Sequence, residues 1–246
     1  MATLYEGQMA EIYEIMYQHF IDYDAEYNFY KNLLEQYNCL NTVEIGAGTG
    51  QLALRFSQNN FPYQGVDYSN DMLEIAKRKC PNTTLILGDM KTFALNSPVD
   101  SIIMTGRTSS YIISNHDLNQ TFKNFHKNLN DNKILIFDFI DANRYIPFIL
   151  QNKNIEHKVI TNDATYSRIA NWFPTDFDNF LLNWKATYYI EKNGVKNGIQ
   201  EDFSTVRVFT KDEMILHLTM NGYTILEMID RKTYAYDTYV VVAQKK

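Results

Sequence analysis

The residues best suited to chemistry stand just after a short apolar segment in the first fifth of the chain. Residues 42–45, Thr-Val-Glu-Ile, read as a strand, and Gly46, Gly48 and Gly50 follow at once. Glycines between a strand and a helix let the backbone bend sharply and let a ligand approach the main chain closely. The helix behind them offers free N–H groups at its start. This spacing predicts a loop that holds a small ligand.

Two common nucleotide-binding loops do not match this spacing. A dinucleotide fingerprint, G-x-G-x-x-G, would place its third glycine at position 51, where the chain has Gln51. A phosphate-binding P-loop would need Gly-Lys followed by Ser or Thr, which is absent here. A dehydrogenase is therefore disfavoured.

Further polar residues end the later strands. Asp67 lies 21 positions after Gly46 (67 − 46), the distance at which α/β folds place an acid on a ribose. Asp89 follows a third strand, and the polar residues 105–111 follow a fourth. Carboxyl ends of parallel strands form the crevice where such folds bind ligands. Arg107 in the last loop either meets a carboxylate or is a solvated surface residue.

Alternating strands and helices predict an α/β fold with a mostly parallel sheet and helices on both faces. Residues 7–37 read as helical, with apolar residues at helical spacing. The predicted strands are 42–45, 63–66, 84–87, 99–104, 133–139, 223–230 and 238–243, and the predicted helices are 51–58, 71–79, 117–129 and 211–221.

The alternation breaks between residues 142 and 207. Residues 165–173 and 180–191 alternate aromatic with polar side chains, and the Asn-Gly pairs 193–194 and 197–198 are turn signals. An antiparallel insertion after the fifth strand is therefore predicted.

The E-x-G-x-G-x-G sequence from Glu44 to Gly50 resembles motif I of class I S-adenosylmethionine-dependent methyltransferases. The resemblance implies one domain over 1–246 with a Rossmann-like, seven-stranded sheet. Its parts are a helical cap (1–38), a core (39–141 and 207–246) and an antiparallel lid (142–206). The implied ligand is S-adenosyl-L-methionine, with S-adenosyl-L-homocysteine as product. The implied cofactor-binding residues are Glu44, Gly46, Ala47, Gly48, Gly50, Asp67, Tyr68, Met72, Asp89, Met90 and Arg107.

Within that family the chain is most similar to small bacterial enzymes that N-methylate nucleotide-linked amino sugars. Residues 4–13 and 207–214 carry this similarity, which implies that Tyr5 lies near the acceptor amine and Tyr13 packs over the cofactor. The chain departs from the pattern at Tyr111, where those enzymes have histidine, and at residues 140–141, where they have paired tryptophans. These departures put a sugar nucleotide in doubt as substrate, but not the cofactor.

Methyl transfer from a sulfonium is an in-line displacement, in which alignment of the reactants supplies much of the acceleration. We therefore expect neither a metal nor a covalent nucleophile. The candidate catalytic residues are Tyr5, Tyr17 and Tyr111, although packing alone explains any single one of them better. Asp138 ends the fifth strand, and an aromatic, mildly acidic pocket would suit an amine. The expected lid aromatics are Tyr166, Trp172, Phe173, Trp184, Tyr188 and Tyr189.

Charge and composition limit the classes of partner that the chain could bind. A net charge of −6 disfavours nucleic acid, and two cysteines do not make a disulfide framework. No apolar stretch approaches the roughly 20 residues that span a bilayer, and the first residues lack a signal-peptide pattern. We expect a cytoplasmic enzyme that methylates nitrogen or oxygen of a small molecule; a homodimer stays open. The alternatives are a protein or RNA methyltransferase and a non-catalytic cofactor-binding protein.

Overall fold

The computed structural model describes residues 4–152, 154–176, 179–232 and 237–246. Its helices are α1 (Gln8–Phe20), α2 (Tyr23–Gln36), α3 (Gln51–Gln58), α4 (Asn70–Lys79), α5 (Asn115–Asn128), α6 (Ala142–Gln151) and α7 (Lys211–Met220). Its strands are β1 (Thr42–Ile45), β2 (Tyr63–Asp67), β3 (Thr84–Leu87), β4 (Val99–Met104), β5 (Leu129–Ile140), β6 (Ile155–Ile160), β7 (Thr165–Asp176), β8 (Leu181–Lys192), β9 (Val195–Arg207), β10 (Tyr223–Arg231) and β11 (Thr238–Lys245).

Seven strands form the main sheet in the order β10-β11-β5-β4-β1-β2-β3. Strand β11 pairs antiparallel with both β10 and β5, and the remaining pairs are parallel. This confirms the predicted α/β class and the mostly parallel, seven-stranded sheet. Because β1 and β4 are central, their carboxyl ends open onto the middle of one sheet edge.

Helices cover both faces of this sheet, as the buried strands require. Successive side chains of β5 point to opposite faces of the sheet. Leu135 and Phe137 pack with Phe122 of α5 on one face, whereas Ile134 and Ile136 pack with other helices on the other face. The second group of helical side chains comes from α2 and α3 and includes Tyr30, Leu34, Leu52 and Phe56. The sheet thus has an apolar core on each side.

The helical prediction for residues 7–37 is confirmed, and two helices rather than one occupy the segment. Ile21 has an extended backbone (φ −110°, ψ 125°). The Asp22 carboxylate accepts the Ala25 N–H at 2.9 Å and caps the second helix. An aspartate in this position stabilises a helix start and competes with a continuous helix.

The insertion forms a second sheet, β6-β7-β8-β9, in which all pairs are antiparallel, as predicted. Asn193 and Gly194 have φ of 52° and 76° and make the expected tight turn between β8 and β9. Two details differ from prediction. Residues 142–151 form helix α6, capped by Asp141. The Asn-Gly pair 197–198 lies inside β9, beside an irregularity in the pairing with β8.

Helix α1 lies between the second sheet and the main fold. Its Met9, Ile12 and Met16 pack with Trp184 and Tyr188 of the second sheet. On another side, Ala10 packs with Met72 and Ile75 of α4. Helix α1 thus packs both on the second sheet and on α4 of the main fold. The division of the chain into cap, core and lid stays a prediction.

No helix in the described ranges is long and apolar enough to cross a membrane. Cys39 and Cys80 are buried free thiols.

The turn glycines give a matched stability test. Gly50 and Gly194 have nearly equal φ (77° and 76°), but a Cβ at Gly50 would lie 2.7 Å from Ala76 Cβ, whereas one at Gly194 would meet no heavy atom within 4 Å. Gly194→Ala should therefore lose about 1–2 kcal/mol of unfolding free energy, from backbone strain alone. Gly50→Ala adds a clash and should lose clearly more free energy of unfolding in urea. Equal losses would contradict this packing.

Candidate active site

A cavity of about 620 Å³ opens at the carboxyl ends of β1, β2 and β4. Its wall combines the glycine loop, the loops after β2, β3 and β4, and the first residues of the chain. A volume of this size lies within the range of about 300–1,000 Å³ typical of small-molecule sites.

The glycine loop is held against β2 by its own backbone. The N–H groups of Gly46 and Ala47 both donate to the Val66 carbonyl, at 2.8 and 3.1 Å. Gly46 has φ of 77°, and a Cβ there would lie 2.5 Å from Thr108 Oγ1. Gly48 has φ of 54°, and a Cβ there would lie 3.6 Å from Met72 Cε, an ordinary contact distance. The loop therefore presents bare main chain to the cavity.

Asp67 joins this loop to the start of α4. One carboxylate oxygen accepts the Gly48 N–H at 2.7 Å and the other accepts the Ser69 N–H at 2.8 Å. Burial raises the pKa of Asp67, while these backbone bonds act to lower it. Each carboxylate oxygen can accept more than one hydrogen bond, so both retain acceptor capacity towards a ligand.

Glu44 lies at the floor of the cavity and is buried. It accepts hydrogen bonds from Tyr63 Oη and from Thr105 Oγ1, the latter at 3.0 Å. Burial raises the pKa of Glu44 to about 7, against the lowering effect of these two bonds. A cation beside this carboxyl would favour its ionised form.

The loop after β3 is a tight turn. Asp89 Oδ1 accepts the Lys91 N–H at 2.8 Å, and the Asp89 carbonyl accepts the N–H groups of Thr92 and Phe93. Met90 packs against the apolar core at the edge of the cavity. This turn places a carboxylate and an apolar side chain side by side on the cavity wall.

The loop after β4 turns at Arg107, which has a left-handed backbone with φ of 65°. Its N–H donates to Asp138 Oδ1 at 2.8 Å, and Ser109 Oγ donates to the Asp138 carbonyl at 2.6 Å. Arg107 is only 8% exposed, which corrects the reading of a solvated surface residue. Burial raises the pKa of Asp138 to about 6, although Arg107 opposes this.

Four tyrosines meet beside the cavity. The hydroxyls of Tyr5 and Tyr111 are hydrogen-bonded, and the rings of Tyr13 and Tyr17 stack with centroids 3.9 Å apart. Tyr5 is anchored because its carbonyl accepts from Ser69 Oγ, next to Asp67. The tyrosines thus connect the first residues of the chain to the loops after β2 and β4.

A second cavity of about 110 Å³ lies on the far side of these rings. The two cavities share Tyr5, Tyr13, Gly106, Arg107 and Tyr111 in their walls. Side chains of the second sheet complete the smaller one. We call the two spaces the large cavity and the small cavity.

The structure brings most of the predicted site residues together. All of the predicted cofactor-binding residues line the large cavity except Gly50, which packs against Ala76 instead. Tyr68 lines the large cavity although this residue is 79% exposed. Of the catalytic candidates, Tyr5 and Tyr111 line both cavities and Tyr17 lines only the small one.

The predicted lid aromatics separate into two groups. Trp172 and Trp184 stack with centroids 5.6 Å apart and line the small cavity. The other four do not line either cavity: Tyr188 is buried among core side chains, Phe173 is 51% exposed, and Tyr166 and Tyr189 pack elsewhere. Alternation along the strands places Phe173 and Tyr189 on the opposite face from Trp172 and Trp184. Tyr166 and Tyr188 share the face of the two tryptophans, but they pack in the apolar cluster with α1 instead.

Glu26 of α2 also lines the large cavity and was not predicted from the sequence. Arg231 of β10 holds it through two bonds of 2.9 and 2.8 Å. In the sequence Glu26 looks like a surface acid of a helix, and only the tertiary fold brings it to Arg231.

The wall of the large cavity is strongly acidic. Only Lys91 and Arg107 are basic among its described residues. The acidic residues are Glu6, Glu26, Glu44, Asp67, Asp71, Asp89, Asp117 and Asp138. This charge favours a cationic ligand. Among the described residues no group of His, Cys, Asp and Glu could hold a metal ion.

Comparison with known proteins agrees with this geometry. A family model for a methyltransferase domain matches residues 43–132, which span the glycine loop, Asp67, Asp89 and Arg107. A methyltransferase of Geobacillus sp. (strain WCH70), named as putative, is 24% identical over 213 residues, 84% of each chain.

Amino-sugar enzymes are also similar. The dTDP-3-amino-3,4,6-trideoxy-alpha-D-glucopyranose N,N-dimethyltransferase of Streptomyces venezuelae is 23% identical over 138 residues, 55% of this chain and 58% of that relative. The structure of SAM-bound CalS10, an amino pentose methyltransferase from Micromonospora echinaspora, superposes with a TM-score of 0.80 at 15% identity over 100% of both chains.

These matches identify the chain as an S-adenosylmethionine-dependent methyltransferase. Its cofactor, S-adenosylmethionine, carries a sulfonium and an ammonium group, which suit the acidic large cavity. Gly46 and Gly48 line this cavity without side chains, which allows a ligand to approach the main chain closely. The methyltransferase therefore offers both the space and the charge that this cofactor needs.

Asp67→Ala should weaken binding of S-adenosylmethionine at least tenfold, or roughly 1.4 kcal/mol, because a charge-assisted acceptor and the anchor of Gly48 are both lost. Titration calorimetry measures the affinity. Asp131→Ala is the matched control, because its carboxylate is exposed and pairs with Lys245. An unchanged affinity in Asp67→Ala would remove Asp67 from the site, and heat from NAD in the wild type would contradict the cofactor assignment.

Proposed function

We propose that the chain transfers a methyl group to nitrogen, or to oxygen, of a small molecule bound in the small cavity. The observation that carries this proposal is the shared wall of the two cavities at Tyr5, Tyr13, Arg107 and Tyr111. A displacement needs donor and acceptor in line and in contact. Adjacent cavities with a common wall supply that arrangement.

In this proposal the large cavity holds the cofactor through distinct groups. The glycine loop and Glu44 would surround its amino-acid end, Asp67 its ribose and Asp89 with Met90 its adenine. Tyr13, Tyr68, Met72 and Arg107 would complete the wall. Bound there, S-adenosylmethionine supplies an electrophilic methyl group whose leaving group is a neutral thioether.

The contribution of the chain to catalysis is positioning. Burial raises the pKa of Tyr5 well above its ordinary value, so its hydroxyl stays protonated and acts as a hydrogen-bonding group. The bond to Tyr111 directs this hydroxyl at the wall shared by the cavities. Tyr17 would act from the small cavity, through its stack with Tyr13.

An amine is the acceptor that the surroundings favour. Asp138 is a buried carboxyl at the carboxyl end of β5 and lines the large cavity. The tyrosines of the shared wall and the tryptophans of the small cavity favour cationic groups through their π faces. The N,N-dimethyltransferase relatives, which are named for amino sugars, support nitrogen over oxygen.

Macromolecular acceptors fit less well. A net charge of −6 gives no favourable counterion term with RNA, and a space of about 110 Å³ does not resemble a peptide cleft. A non-catalytic cofactor-binding protein would need no acceptor cavity beside the cofactor. A homodimer remains compatible with the proposal, which does not depend on it.

The test is an acceptor panel with S-adenosylmethionine, in which S-adenosylhomocysteine and the methylated product are measured by mass spectrometry. The panel contains small amines, amino acids, amino sugars with and without a nucleotide, alcohols, RNA and unfolded protein. We expect methylation of a small amine. Methylation of RNA or protein alone, or no product from any class, would contradict the proposal.

Tyr5→Phe removes the hydroxyl at the shared wall and keeps the ring. Turnover of the best acceptor should fall about tenfold or more while cofactor affinity stays unchanged, because the lost group orients only the acceptor. Tyr37→Phe is the matched control, since it loses a hydroxyl bonded to Glu227 away from both cavities. Full activity of Tyr5→Phe would exclude a role for that hydroxyl.

A further inference from the structure

The two cavities have opposite charge. The small cavity is lined by Arg107, Arg168 and His157, and no Asp or Glu occurs among the described residues of its wall. The large cavity carries eight acidic residues. Such a contrast across one shared wall indicates that the small cavity receives a ligand of different charge from the cofactor.

Arg168 is the better placed of the two arginines. It lies on β7, opposite His157 of β6, and is only 7% exposed. Its Nη1 donates to Tyr17 Oη at 2.7 Å, and its guanidinium lies 5.4 Å from the centroid of the Trp184 ring. Three separate elements therefore fix the planar group in one orientation. A fixed guanidinium is well suited to bind a carboxylate or a phosphate oxygen.

His157 adds a neutral donor to the same wall. Its Nδ1 lies 3.1 Å from Arg168 Nη2. Because a guanidinium can only donate, Nδ1 must accept this bond, which places the imidazole proton on Nε2. Burial, together with the charges of Arg168 and Arg107, lowers the pKa of His157 to about 4. The ring is therefore a neutral donor at physiological pH.

Carboxylates near the arginines lie outside the small cavity. Asp202 accepts the Leu4 N–H at 3.2 Å and lies close enough for Arg168 to lower its pKa, against the larger effect of burial. Asp138 is bonded to the Arg107 backbone and lines only the large cavity. These groups reduce the net charge of the region, but the surface that meets a ligand is cationic.

We infer that the methyl acceptor carries an anionic group, a carboxylate or a phosphate, which binds in the small cavity to Arg168 and His157. This inference rests on the proposed function and names the class of its substrate. The nucleophilic nitrogen then faces the shared wall at Tyr5 and Tyr111. A volume of about 110 Å³ suits a compact anion-bearing group, well below the size of a whole drug-sized ligand.

The experiment measures anion binding directly, without methyl transfer. The protein is saturated with S-adenosylhomocysteine, so that the carboxylate of the cofactor product occupies its own site. Acetate, inorganic phosphate and neutral acetamide are then titrated separately and followed by ligand-observed NMR. At least one anion should bind at millimolar concentration and at least tenfold more tightly than acetamide.

Arg168→Met keeps much of the apolar stem and removes the charge, so anion affinity should fall at least tenfold. Arg78→Met is the matched control, because Arg78 is exposed and pairs with Glu11 on the surface. Affinity for S-adenosylhomocysteine reports whether each variant is folded. If Arg168→Met does not fold, the comparison of acetate with acetamide on the wild type decides.

The outcomes separate the two sources of the anion. Binding of acetate alone identifies a carboxylate acceptor, binding of phosphate alone a phosphate acceptor, and binding of both a general anion site. Equal binding of acetate and acetamide, no anion binding, or unchanged affinity in a folded Arg168→Met would overturn the inference. Methylation of neutral amines as fast as their anionic counterparts would also overturn it, and would leave the proposed methyltransferase activity intact.

Discussion

The hydrogen bond from the Gly48 N–H to Asp67, 2.7 Å long, joins the ends of two parallel strands. The strands β1 and β2 run side by side, so their carboxyl ends meet at the same edge. Only a residue that tolerates φ of 54° can turn its N–H towards that carboxylate without strain. The same carboxylate holds Ser69, which caps α4 and binds the carbonyl of Tyr5. A single carboxylate therefore links the glycine loop, the next helix and the proposed acceptor wall.

The remaining architecture adds the small cavity, the proposed acceptor space, to this core. Helix α1 packs on α4 with one side and on the second sheet with another, so the sheet is held above the strand ends. Its strands bring Arg168, His157 and two tryptophans to the small cavity. The core supplies an acidic wall and the added sheet a cationic one, with tyrosines between them. In the proposed function, different elements thus serve the cofactor and the acceptor.

Features set by short spacing could be predicted from the sequence, and features set by tertiary pairing could not. The glycine loop, Asp67 and Asp89 follow directly after strands, so their position at one sheet edge followed from the strand pattern. The cluster of Arg168 with His157 and Tyr17 depends on strand register and on α1, 151 residues earlier in the chain. Helix α6 was missed because Pro147, a residue type that usually interrupts a helix, lies inside it. The break at Asp22 was missed because an N-cap looks like one more polar residue of a helix.

We propose that Gly46, Gly48 and Asp67 hold opposite parts of one cofactor. A crystal structure with S-adenosylhomocysteine tests it most directly. We predict the amino-acid end of that molecule against Gly46 and Gly48, its ribose hydroxyls within hydrogen-bond distance of the Asp67 carboxylate, and its sulfur facing Tyr5 and Tyr111. A crevice that stays empty at saturating ligand, or a molecule bound away from Asp67, would contradict the account.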